Sequence, residues 1–385
     1  MLVSLKGASS FILDEKQMLI SLLIVWLAIY LLGRVLPLKK YGLDIKPFFV
    51  KYESERFKRI LSKCSDRQRV LWRLFSHISV FSGFVLMVFA IGFLSINLMR
   101  PLLRYGREVT VVPIIPGLTL DPVWLPYFLI AVLVAILTHE AAHGIIALTE
   151  GVKVKSAGLL AFAIFPGGFV EVNEEEMNRL PRISRMRIFS AGSSSNLVFG
   201  LMALLVTWTL FSPVPSGIVV INVLEKGPLH EAGIGRWDII YALNDTKINT
   251  YLDLSAFMSR AKPGDRLMVS TSKGNFLITV IQSPEDKDKA IIGLLSPYIP
   301  YYRSRLGLSS FLDTQIYLTL SWLLSVLFSV AIFNMLPIPM LDGDRFLQCL
   351  IEKASEKSYA FLKKFFNVLS LFLMVANMAV SLRLW

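Results

Sequence analysis

Six apolar runs constrain this chain more than any other feature, because each is long enough to cross a bilayer. They lie near residues 17–38, 71–99, 124–149, 183–212, 311–335 and 359–382. A transmembrane helix needs about 20 mostly apolar residues. Only 18% of the residues are charged and 54% are hydrophobic, a balance typical of membrane proteins. The sequence therefore predicts a polytopic α-helical membrane protein with about six transmembrane helices.

The basic residues predict how the chain is oriented. The formal net charge is +12, and Lys and Arg cluster in the segments 39–70, 150–182 and 336–358. Cytoplasmic loops are enriched in Lys and Arg, so these segments are expected in the cytosol and both termini outside. We expect a multi-pass protein in the lipid bilayer of a prokaryotic plasma membrane. No nucleic-acid partner is expected, because the positive charge follows the membrane spans. A disulfide is not expected either, since Cys64 and Cys349 both fall in cytosolic segments.

The third apolar run contains the motif His139-Glu140-Ala-Ala-His143. Residues four apart lie on one face of a helix, so the two imidazoles can offer two nitrogens to one zinc ion. Glu140 would then lie beside the open position of the metal. Ionisable residues within a membrane span are costly and usually functional. The alternative is a pair of buried histidines with a buried glutamate and no metal.

A third ligand is expected at the cytosolic end of the fifth run, in Asn334-Met-Leu-Pro337-Ile-Pro339-Met-Leu341-Asp342-Gly343-Asp344. The two prolines end the helix and free backbone groups there. Asp342 is favoured over Asp344 because it comes first out of the apolar stretch. The alternative is that the carboxylate only caps a loop.

Residues 152–172 are apolar but interrupted by Pro166-Gly167-Gly168, which no straight helix tolerates. A β-hairpin or re-entrant segment beside the histidines is therefore expected. Two interpretations stay open. The segment is either an edge strand that binds an unwound substrate through its backbone, or a simple loop at the membrane surface.

Residues 213–297 differ from the rest of the chain, with mixed charges and short alternating strands. Strands are predicted at 217–223, 266–271 and 276–281, with a helix at 252–261. This pattern predicts a small α+β domain on the outer side. His230, within it, is interpreted as a surface residue.

Together the motifs resemble the site-2 protease family of intramembrane zinc metalloproteases. His139-Glu-Ala-Ala-His143 matches the family's H-E-x-x-H, and the segment from Asn334 to Gly343 matches its N-x-x-P-x-P-x-L-D-G. Ala191-Gly192-Ser-Ser-Ser-Asn196 is similar to a third family element, although Ser193 stands where many members have proline.

The resemblance implies His139, His143 and Asp342 as ligands of one catalytic Zn²⁺, and Glu140 as the general base. It also implies that Asn196 and Asn334 bind the substrate backbone or the oxyanion. For either asparagine, an interhelical hydrogen bond is the alternative.

The outer domain resembles the PDZ domains inserted in many of these proteases. The likeness runs from Lys226 to Asp245, with Trp237 as a departure where glycine usually precedes Asp238. Ile292, Gly293 and Leu294 are the expected peptide-terminus loop. A C-terminal peptide is therefore an expected ligand.

The resemblance implies an endopeptidase that hydrolyses peptide bonds within or near the transmembrane segments of membrane proteins or peptides. The expected organisation is an N-terminal span with a basic cytosolic loop (1–70), two membrane portions (71–212 and 298–385) and the PDZ-like domain (213–297). One alternative is a catalytically silent PDZ-bearing membrane scaffold. A transporter would show paired repeats with broken helices, which this sequence lacks.

Overall fold

The computed structural model describes residues 15–382 except 101–110, 112–113, 115–118, 164, 285 and 287. The chain forms two compact units. One comprises Glu15–Ala203 and Trp322–Trp385, and the other includes Leu204–Ser321. We call them the membrane unit and the inserted unit, and each is described by itself.

Helices account for most of the described membrane unit, and shorter helices occur in the inserted unit. In chain order they are α1 Glu15–Val35, α2 Glu55–Arg67, α3 Arg69–Met99, α4 Leu125–Thr149, α5 Glu174–Asn178, α6 Arg182–Leu210, α7 Pro228–Glu231, α8 Tyr251–Met258, α9 Ser310–Phe333, α10 Asp342–Ile351 and α11 Glu356–Leu382. Among the described residues, five helices are long and apolar enough to cross a membrane: α3, α4, α6, α9 and α11. The chain is thus a polytopic helical protein.

The first expected span is the exception. Helix α1 covers Glu15–Val35 but is not among the five candidate spans found in the described residues. The other five predicted runs agree with their helices to within three residues at each end. The expectation of a sixth span therefore stays a prediction.

The sequence predicted that the basic segment 39–70 is a loop, but the structure shows that it is not. It contains β1 (Leu43–Lys46), β2 (Phe49–Glu53) and the helix α2. Ser54 caps α2 by accepting a hydrogen bond from the Phe57 N–H. The strands of 39–70 are short and charged. They therefore form only because they pair with a distant part of the chain.

That partner is the hairpin predicted at 152–172. Strands β3 (Val154–Phe162) and β4 (Phe165–Val172) pair antiparallel, and β2 pairs with β3, so the sheet order is β1-β2-β3-β4. The turn lies near Ala163, which has a positive φ of 50°. The hairpin expected from Pro166-Gly167-Gly168 is formed, and these three residues lie inside β4 and not in the turn. An edge strand tolerates proline, since one side of its backbone bonds to no neighbouring strand.

Small residues bring α3 and α6 into close contact. The Ser190 hydroxyl donates to the Ser79 hydroxyl at 3.1 Å. A Cβ on Gly83 would lie 2.7 Å from the Ser190 Cβ, so only glycine fits there without movement. Gly144 on α4 allows a similar close contact, because its hydrogen faces Val170 of β4 and Leu61 of α2. Gly144 thus lets the sheet and α2 approach α4 closely.

The inserted unit is a small α+β fold. Its strands are β5 Ile218–Val219, β6 Asn222–Val223, β7 Ile239–Leu243, β8 Thr246–Lys247, β9 Arg266–Thr271, β10 Gly274–Thr279, β11 Ile281–Gln282, β12 Ala290–Ile291, β13 Leu294–Leu295 and β14 Ile299–Pro300. The main sheet has the order β10-β9-β7-β5-β14, with β8 paired to β7. Leu229, Ile240 and Val269 are fully buried in the hydrophobic core of this unit.

Two expectations for the inserted unit need correction. The strand predicted at 217–223 is split into β5 and β6, and β7 was missed. The predicted end at residue 297 is also too early. Strand β14 pairs with β5, and a β-bridge joins Phe211 to Ser304, so the fold closes at Ser304.

Candidate metal centre

Helix α4 brings the two histidines together. His139 and His143 are one turn apart, and their Nε2 atoms lie 3.1 Å from each other. The long apolar α4 keeps both side chains away from bulk water, with 10% and 13% of the side-chain surface exposed. Two imidazoles held this close in an apolar helix are costly without a shared cation.

Asp342 completes a group of three possible ligands. Its Oδ2 atom lies 3.0 Å from His139 Nε2 and 2.9 Å from His143 Nε2. Burial would raise the pKa of this carboxyl, but the charge of His143 and hydrogen bonds from both imidazoles lower it below its usual range. Both imidazoles thus favour the carboxylate form of Asp342.

The chain turns sharply to deliver Asp342. Asp342 is the first residue of α10, and the next residue, Gly343, donates its N–H to the Asn334 carbonyl at the end of α9. A Cβ on Gly343 would lie 2.3 Å from the Met335 carbonyl oxygen, so only glycine allows this approach. Asp344, the competing candidate, is buried elsewhere and accepts a hydrogen bond from the Gln348 side chain at 2.8 Å.

These residues fit zinc. Two ligand atoms at the tetrahedral angle around zinc, each 2.0–2.1 Å from it, lie about 3.3 Å apart. The three observed separations of 2.9–3.1 Å are close to that value. Two histidines and a carboxylate are also a donor set that catalytic zinc sites use.

Each imidazole is oriented through its other nitrogen. The His143 Nδ1 atom lies 2.7 Å from the Ile188 carbonyl oxygen, a contact that turns Nε2 toward Asp342 and the cluster. The His139 Nδ1 atom lies 3.4 Å from the Asn196 amide. Thr138 donates its hydroxyl hydrogen to the same amide at 2.9 Å. Asn196 is fully buried, so it contacts the imidazole and not the open side of the cluster.

Glu140 faces the sheet. Its Oε2 atom accepts a hydrogen bond from the Val170 N–H of β4 at 3.2 Å. A cavity of about 230 Å³ is lined by Glu140, the three ligand candidates, Asn334 and parts of β4 and α6. The carboxylate, the cluster and the edge strand therefore share one small polar cavity.

Asn334 lies against the cluster itself. Its Nδ2 atom is 2.7 Å from Asp342 Oδ2 and 3.0 Å from His139 Nε2. Of the two candidate asparagines, only Asn334 lines the cavity.

Sequence reasoning missed several supporting residues. Val170 and Ile188 act through backbone groups, for which the side-chain sequence carries no signal. Gly192 was noted only as part of a motif, yet a Cβ there would lie 2.4 Å from His143 Nε2. The glycine on α6 is thus what leaves space at the cluster.

The expected PDZ residues lie in the inserted unit. Ile292, Gly293 and Leu294 line a groove of about 300 Å³ together with one face of α8, including Tyr251 and Ser255. Gly293 has a φ of 85°, which favours glycine.

Comparison with known proteins identifies the class. The profile of peptidase family M50 matches residues 127–377, which is more than half of the chain. The protein therefore belongs to peptidase family M50, the site-2 protease family of membrane metalloproteases.

The chain is similar to individual proteins over different lengths. The chain is 28% identical over 390 residues to an uncharacterized protein of Methanocaldococcus jannaschii, covering 96% of this chain and 95% of that protein. It is also 27% identical over 143 residues to a membrane-bound transcription factor site-2 protease homolog of Arabidopsis thaliana. That match covers 35% of this chain and 28% of the plant protein.

Proposed function

We propose that this protein is an intramembrane zinc endopeptidase that hydrolyses peptide bonds within or near transmembrane segments of membrane proteins. The observation that carries the proposal is the convergence of His139, His143 and Asp342 in one cavity with Glu140. Membership of peptidase family M50 supports the same reaction class.

His139, His143 and Asp342 would hold the zinc ion. When bound, zinc supplies Lewis acidity toward water and toward the scissile carbonyl. Glu140 acts as the general base that takes a proton from the attacking water, and it returns that proton to the leaving amine. The hydrogen bond from Val170 supports this role, because it fixes the carboxylate beside the cluster.

Strand β4 is proposed to bind the substrate. A transmembrane helix satisfies its own backbone groups, so a scissile bond becomes accessible only after local unwinding. An unwound segment can pair with the free edge of β4. The Val170 N–H points away from β3 toward Glu140, and backbone groups two residues apart on a strand point the same way. The backbone of Gly168 would therefore face the substrate on the same side of β4 as Glu140.

The two asparagines receive different roles in this proposal. Asn334 contacts the ligand atoms from within the cavity, which supports binding of the substrate carbonyl or the developing oxyanion. Asn196 is buried beneath His139, which supports a positioning role through the imidazole.

The inserted unit is proposed to be a PDZ-like domain. The groove between α8 and the Ile292-Gly293-Leu294 segment supports binding of a C-terminal peptide. The distribution of basic residues supports an outer location for this unit and a cytosolic opening of the catalytic site, in a prokaryotic plasma membrane.

The test is zinc analysis combined with cleavage of a model transmembrane peptide by the purified full chain. One zinc per chain and cleavage that a chelator abolishes are expected. A silent scaffold would leave the peptide intact even when loaded with zinc. That outcome is disfavoured by the complete ligand group and the adjacent Glu140.

A further inference from the structure

A second polar cavity lies away from the metal centre, at one end of three membrane helices. Its volume is about 470 Å³, and its lining includes Arg69 and Arg73 of α3, Arg187 of α6 and Glu150 after the end of α4. Three guanidinium groups thus face a single carboxylate.

The charges in this cavity are only partly paired. Arg187 forms an ion pair with Glu150 at 2.9 Å. Its other amino group lies 3.2 Å from both ring nitrogens of His77. Neither Arg69 nor Arg73 forms an ion pair with any residue that the structure describes. An anion in the cavity would therefore have two exposed guanidinium groups as partners.

The position of these arginines is electrostatically unfavourable without an anion. Arg69, Arg73 and His77 are four residues apart, so they lie on one face of α3 at its start. Helix N-termini favour negative charge, yet the first turn of α3 contains no acidic residue. A bound anion would remove this conflict.

An apolar groove continues from the basic cavity. It shares His77 and Arg187 with that cavity, has a volume of about 380 Å³ and runs between α3 and α6. Its other lining residues include Phe81, Phe84 and Ile183, whose side chains are exposed. A basic cavity joined to an apolar groove matches a molecule with an anionic head and a hydrocarbon tail.

The level of the cavity agrees with such a ligand. Helix α3 begins at Arg69, α4 ends at Thr149, and Arg187 lies within the second turn of α6. Residues at the ends of membrane helices lie at the headgroup level, where basic pockets between helices bind anionic lipids. We propose that this site binds an anionic phospholipid, with its phosphate at Arg69, Arg73 and Arg187 and one acyl chain along Phe81 and Phe84.

The test uses the full chain in a neutral detergent and measures thermal unfolding with phosphatidylglycerol, phosphatidylcholine or inorganic phosphate added. A ligand that binds only the folded state raises the unfolding midpoint. Phosphatidylglycerol is expected to raise it more than the other two additives. The double variant Arg69→Gln/Arg73→Gln is expected to weaken this lipid's apparent affinity by about thirtyfold.

Arg56→Gln is the matched control, because it removes one exposed positive charge on α2, outside the cavity. It should retain the full response to phosphatidylglycerol. Both substituted arginines of the double variant are exposed, so folding should be retained. An unchanged lipid response in the double variant, or an equal loss in the control, would overturn the site. A response to inorganic phosphate as large as that to the lipid would overturn the lipid assignment.

Discussion

Gly192 on α6 faces His143 on α4 so closely that a Cβ in place of its hydrogen would lie 2.4 Å from the imidazole Nε2 atom. The same Cβ would lie 2.5 Å from His139 Nε2, so the glycine keeps open the space where a metal would bind. Gly192→Ala should therefore lower zinc affinity by at least about tenfold, the scale seen around metal ligands. Zinc per chain after dialysis measures this.

The control for that prediction is Gly92→Ala on α3, where a Cβ meets nothing within 4 Å. This variant makes the same glycine-to-alanine change in a membrane helix, and it should bind zinc normally. Normal zinc binding by Gly192→Ala would mean that the metal lies elsewhere.

Glu140→Gln should separate chemistry from metal binding. Glu140 is not among the three ligand candidates, so zinc content should be unchanged. An amide cannot take the proton from water, and cleavage should fall by about 10²–10⁴-fold. Near-normal cleavage of a transmembrane peptide by this variant would remove Glu140 from the mechanism.

Asp342→Asn and Asp344→Asn form a matched pair two residues apart. Only Asp342 contacts the imidazoles, whereas Asp344 bonds with Gln348. Asp342→Asn should lower zinc occupancy and cleavage together, by more than the roughly 10–100-fold typical of supporting residues. Asp344→Asn should spare both. Metal analysis with the reverse order would contradict the ligand assignment.

Orientation can be tested by labelling single cysteines with an impermeant thiol reagent in intact cells. The background is Cys64→Ser, which leaves the buried Cys349 as the remaining natural cysteine. A cysteine that replaces Arg56 should resist labelling, and one that replaces Asn275 should react with the reagent. Both positions are exposed, so burial cannot explain a difference. The opposite pattern would put the catalytic opening on the outer side.

The inserted unit is expected to control access and not chemistry. Phe211 and Ser304 are paired, so a short Gly/Ser linker can replace residues 212–303. This variant should still cleave a bare transmembrane peptide and should cleave faster a substrate that carries a folded outer domain.

Ser255→Trp gives the matched control, because it fills the groove of the inserted unit without removing the unit. It should leave both substrates unaffected if the unit filters by size. Slower cleavage of substrates with a free outer C-terminus, in either variant, would instead indicate peptide capture.

The sequence by itself determined the membrane class and located the five long helices, because bilayer thickness sets the length of an apolar run. Helical periodicity placed His139 and His143 on one face, and the order of residues after α9 favoured Asp342. These inferences depend on local geometry, which neighbouring residues fix.

Only the tertiary structure decided the rest. The pairing of 43–53 with β3, the edge position of β4 and the carbonyl of Ile188 at His143 all join residues far apart in the chain. Backbone hydrogen bonds carry no side-chain signature, so no local pattern predicts their partners. The close approach at Gly192 is the same kind of fact: a missing side chain becomes informative only once the facing helix is in place.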